Sequence, residues 1–109
     1  MRVIAIPFGY KCRSYSRLSV TTGAVVALEA AKVLHPTYGP CAGVLVTIED
    51  NDIRRTIDGT TPTTGVDGIG ATIVTGDSSA LMGGQIVKNL KMIGLSGTGI
   101  VHVDYFYEK

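Results

Sequence analysis

Residues 100–107 read IVHVDYFY, and this stretch decides the fold class. With alternating side chains, Val101, Val103, Tyr105 and Tyr107 fall on one face and Ile100, His102, Asp104 and Phe106 on the other. A period of two marks a half-buried strand. Upstream lies a second apolar run, Leu90–Leu95, and between the two sits Ser96-Gly97-Thr98-Gly99. Two strands joined by a short glycine-rich loop predict a C-terminal hairpin.

The same pattern recurs in the middle of the chain. Gly43–Ile48 places Val44, Val46 and Ile48 on one face, and Asp50-Asn51-Asp52 supplies turn residues that bond their own backbone and tolerate left-handed angles. Ile53–Asp58 then returns as a second hairpin arm, with Ile53 and Ile57 on one face. Shorter strands fit Arg2–Ile6, Leu18–Thr21 and Ala71–Thr75. Residues 24–34 (AVVALEAAKVL) hold helix formers but also alternate, so helix and strand both stay open; the β context favours strand. Pro36 ends the segment, His35–Cys41 is a loop, and Thr60–Gly70 is the long mobile loop. Short strands among 14 glycines predict an all-β, antiparallel domain, a compact sandwich or barrel.

Composition narrows the functional classes. The chain has 109 residues, enough for one domain with a modest core. Hydrophobic residues make up 45% and charged residues 17%, against about 25% charged in ordinary globular chains, so disorder is excluded and some apolar surface is expected to meet a partner. A net charge of +1 argues against a nucleic-acid partner. No apolar run reaches the length of a membrane span, and the first residues lack a signal-peptide h-region, so a protein made in a cytoplasm without a membrane partner is expected. Cys12 and Cys41 are too few for a disulfide scaffold and are expected reduced, although one bridge is open.

No cofactor motif stands out. Cys12, His35, Cys41 and His102 lack the close pairing through which one turn presents two zinc ligands. Glu49, Asp50 and Asp52 gather three carboxylates without the calcium-loop pattern, which reads as turn chemistry. Gly68-Ile69-Gly70 has Ile73 where a dinucleotide fingerprint needs a third glycine, and Gly94–Thr98 misses a serine nucleophile elbow by one residue. The expected protein is therefore not an enzyme and carries neither metal nor cofactor.

Contact residues are the better candidates. Arg54 and Arg55 alternate faces, so one of them points to the side of Ile53 and Ile57, where an arginine needs a partner such as Asp58 or a second subunit. With Asp58, Thr60, Thr61 and Thr63 they form a polar rim. Tyr10, Lys11, Arg13 and Tyr15 form a second group, on an N-terminal arm over residues 1–17 that could dock on a partner.

The run GVLVTIEDNDIRRTIDGTTPTT (43–64) and the run NLKMIGLSGTGIVHVDYFY (89–107) together resemble segments of small virion proteins of tailed bacteriophages. The resemblance covers about two-fifths of the chain; it departs at 65–84, which is glycine-rich where those proteins carry a more regular strand. It implies a compact β-barrel or jelly-roll-like structural protein on the capsid surface of a virion, made in the host cytoplasm. Such a protein decorates the head and cements contacts between major capsid protein subunits, as a dimer or trimer. A head–tail or tail location remains open, and so does a small β-sandwich module that binds carbohydrate or another ligand. The resemblance carries over no catalytic residue.

Overall fold

The computed structural model describes residues 9–108, so the expected strand over 2–6 and the first part of the expected arm lie outside the described residues. Ten strands and two short helices follow one another: β1 (Lys11–Val20), β2 (Val26–Ala27), α1 (Ala30–Val33), β3 (Leu34–His35), β4 (Gly39–Pro40), β5 (Gly43–Glu49), β6 (Ile53–Thr56), β7 (Ala71–Ile73), β8 (Ser78–Met82), α2 (Gly84–Asn89), β9 (Lys91–Gly94) and β10 (Gly99–Tyr107). Eight of the strands build two four-stranded sheets, in the orders β1-β10-β5-β8 and β2-β9-β6-β7. The other two, β3 and β4, form a small separate hairpin inside the expected 35–41 loop.

All pairs are antiparallel, and four of them are nested: β1 with β10, β2 with β9, β5 with β8, and β6 with β7. The chain is thus one long folded-back ribbon whose tip is the β6–β7 connection. Two further pairs, β10 with β5 and β6 with β9, roll that ribbon into a sandwich. Eight strands rolled this way are a jelly roll, so the expected all-β antiparallel class is what the chain adopts.

The core lies between the sheets. Val101, Val103, Tyr105 and Tyr107 from β10 and Val44, Val46 and Ile48 from β5 are fully buried, as their alternation requires. Ile53, Met92, Val87 and Leu90 meet them from the other layer and from α2. Burying a side chain of this kind stabilises by about 1.5–3 kcal/mol.

Both expected hairpins need correction. The strands exist, but β5 and β6 belong to different sheets, and so do β9 and β10. Asp50, at φ 73°, turns the chain as its residue type suggests, yet the turn is a corner that carries it from one layer to the other. The physical reason is reach: β10 is already hydrogen-bonded on both edges, to β1 and β5, so β9 has no edge to join. Residues 24–34 also depart from the favoured strand, splitting into β2, the single turn α1 and the start of β3. Residues 11–17 are not an arm but most of β1, nine of whose residues pair with β10 across a bulge between Cys12 and Ser14. The strand β8 and the helix α2 had no counterpart in the expected elements.

At the β9–β10 corner the backbone packs closely. A Cβ on Gly94 would lie 2.5 Å from the Gly97 carbonyl oxygen and 2.8 Å from that of Val20. Backbone atoms cannot swing aside as a side-chain tip can, so Gly94→Ala is expected to destabilise the fold by about 1–3 kcal/mol. Urea denaturation should show the midpoint falling; an unchanged midpoint would contradict this packing.

Candidate contact site

The sequence candidates separate onto the two sheets. Arg54 and Arg55 lie on β6, and Asp58, Thr60, Thr61 and Thr63 lie in the connection that follows it. Lys11, Arg13 and Tyr15 lie on β1, with Tyr10 just before it.

On β6, cross-strand register assigns the faces. Arg55 lies opposite Met92 and Ala71 and shares the core-side face with Ile53. Its Nε is buried with no hydrogen-bond partner. Arg55, Ile57, Asp58, Thr60, Ile69 and Gly70 border an open depression of about 240 Å³, so three of the candidates do converge. No ion pair forms there among the described residues: Asp58 instead accepts a hydrogen bond from the Thr60 backbone N–H at 3.0 Å.

Arg54 faces the other way and organises the loop. Its Nη1 donates to the carbonyl of Thr63 at 2.7 Å and to that of Gly65 at 3.0 Å. The Thr63 N–H donates to the Ile69 carbonyl at 3.1 Å, and the Ile69 N–H donates to Thr63 Oγ1 at 2.8 Å. Thr56, which the sequence did not single out, anchors the loop's start by donating to the Thr60 carbonyl. Two glycines leave room for the clamp. A Cβ on Gly68 would strike Arg54 Nη1, and one on Gly70, whose φ is +117°, would lie 2.7 Å from Arg54 Cγ. The segment expected to be a mobile loop is thus cross-tied. At its tip Val66 is 99% exposed, and Ile69 is half exposed.

Around β1, Tyr15 and two residues far away in sequence form a chain across the outer face of its sheet. The Tyr15 hydroxyl lies 2.5 Å from His102 Nδ1, and His102 Nε2 contacts Glu49 Oε1. No local motif could reveal it, because the partners come from three strands. Arg13, at the bulge, lies over the Tyr38 ring at 5.5 Å, and Tyr38 packs against His35 and Tyr107. Tyr10 and Tyr38, with Met82 and Glu108, border a groove of about 430 Å³. A neighbouring groove of about 510 Å³ is lined by Leu28, Ala30, Val33, Leu34 and Pro40, with Lys88 also on its wall. Cys41 touches both grooves and is buried, whereas Cys12 is exposed; both thiols are free. Burial pushes the Cys41 thiol up, away from the reactive thiolate.

Three carboxylates are held below their usual range: Glu29, chiefly by the Ser16 hydroxyl, and Asp52 and Asp58 in the loops. Asp52 accepts from the Thr75 N–H and hydroxyl, and Asp58 from the Thr60 N–H. No known protein family matches the chain, and no curated protein or solved structure is detectably similar to it.

Two tests follow from this geometry. Arg54→Ala removes the clamp, so amide exchange over residues 63–70 should rise by about tenfold or more, while the β10 amides stay protected; equal protection in both proteins would show that the guanidinium does not hold the loop. For the carboxylates, a folded pKa below the unfolded one gives stability at neutral pH that is lost as pH falls through the folded value. The melting temperature should therefore drop below about pH 4, and Asp52→Asn should flatten that drop. An equally steep drop in the variant would contradict the role given to the Asp52–Thr75 bonds.

Proposed function

We propose that the protein is a non-enzymatic structural component of a tailed-phage virion, a decoration or cement protein that stabilises contacts between major capsid protein subunits. The observation that carries this reading is the surface. On a domain with 17% charged residues, large apolar side chains stand in solvent, Leu34 on β3 and Val66, Ile69 and Val74 in the connections on either side of β7, each at least half exposed. Apolar groups held rigidly outward are what an adhesive surface needs, because ordering costs little when they are covered. The jelly roll adds support, since viral capsid domains are among its users, and so does the sequence resemblance over 43–64 and 89–107.

A second reading draws on a separate observation. The groove bordered by Tyr10 and Tyr38 offers aromatic rings beside Glu108, a wall on which a sugar ring could stack, and lectin domains also use the jelly roll.

Co-sedimentation with assembled shells separates the two. The cement reading expects binding to expanded capsids and greater resistance of the particles to heat, both reduced by Arg54→Ala. Clear hits on a glycan array, lost in Tyr38→Ala, with no binding to shells, would overturn it in favour of the ligand module.

A further inference from the structure

The cross-tied loop and the apolar groove form a complementary pair on the same chain. Val66 projects from the loop as a fully exposed aliphatic knob, between Gly65 and the exposed Asp67. The loop beneath it is closed by the two Arg54 bonds, by the Thr63–Ile69 exchange and by a Gly68 N–H to Gly65 carbonyl bond of 3.2 Å. The backbone beneath the knob is therefore already tied, and docking has little loop ordering left to cost.

The groove of about 510 Å³ is the receptor. Leu28, Ala30, Val33, Leu34 and Pro40 give it an aliphatic wall, and Leu34 on that wall is 66% exposed. Its charged lining residue is Lys88, on the last turn of α2. Neither Lys88 nor Asp67 makes an ion pair among the described residues. A valine flanked by an aspartate thus matches an aliphatic groove flanked by a lysine, in apolar character and in charge sign.

We infer that the protein self-associates head to tail, with Val66 of one copy seated in the Leu28–Leu34–Pro40 groove of the next and Asp67 paired with Lys88. Knob and groove are different patches, so the contact is heterologous. Copies joined this way close into a ring when the rotation permits and otherwise extend as a chain. The aliphatic contact supplies the affinity, and the charge pair sets the register. This inference rests on reading the protein as one that works by contact, but its test needs no capsid.

Sedimentation velocity on the purified chain, up to about 1 mM, reads the association directly. The wild-type chain is expected to associate with rising concentration. Val66→Ser and Leu34→Ser, both at exposed positions and checked for folding by circular dichroism, are each expected to weaken association by about tenfold. Asp67→Lys should weaken it as well, and adding Lys88→Asp in the same chain should restore it. A wild-type chain that stays monomeric, association as tight in Val66→Ser as in the wild type, or no rescue by the charge exchange would each overturn the inference. If such a monomer still bound capsid shells, the head-to-tail contact would fail and the cement function would stand; self-association without shell binding would give the reverse.

Discussion

The structure depends on one strand being paired on both edges while burying an entire face. Between β1 and β5, β10 presents Val101, Val103, Tyr105 and Tyr107 to the core with none exposed. Two of these carry hydroxyls, which cost free energy when buried without a partner. The Tyr105 hydroxyl lies 3.0 Å from Ser16 Oγ, which donates to Glu29 at 2.7 Å, and the Tyr107 hydroxyl donates to the Lys32 carbonyl. Lys32 in turn bonds the Tyr15 carbonyl and pairs with Glu29 at 3.4 Å. The two tyrosines therefore fasten the crossover around α1 to the sheet. Burial pushes both phenols up, and the Ser16 hydroxyl, which bonds both Tyr105 and Glu29, holds the Glu29 carboxyl below its usual range.

That network explains where sequence reasoning succeeds and where it stops. Alternation alone marks the inward faces of β5 and β10, because period two is a property of the strand itself. Strand partners are not local. Asp50-Asn51-Asp52 and Ser96–Gly99 have the chemistry of hairpin turns, and the same chemistry serves a corner between layers. Residues 24–34 balance helix against strand in propensity, and the balance is broken by the tyrosine hydroxyls, 75 residues away in the case of Tyr107 and Lys32. The strand β8, SSALM, lacks the β-branched residues that flag a strand and is held by its register against β5.

The candidate contact residues were legible by type more than by role. Arginines on alternate faces foretold that one would share the side of Ile53, and that one is Arg55. Asp58, offered as its partner, instead bonds the Thr60 N–H, while Arg54 on the other face meets the backbone carbonyls of Thr63 and Gly65. The 57–70 connection is the tip of the nested ribbon, and it is tied to the strand behind it through Arg54, Gly68 and Gly70. Under the proposed function, a jelly roll with such a tip would separate stability from contact, the sandwich carrying the first and the loop and grooves the second.

The pairing of β10 on both edges is the claim on which all of this stands, and nuclear Overhauser contacts between backbone protons test it most directly. The account predicts cross-strand contacts linking residues 100–106 to 43–49 on one side and residues 99–107 to 11–20 on the other. Cross-strand contacts between 91–94 and 100–103, the signature of a simple C-terminal hairpin, would contradict it.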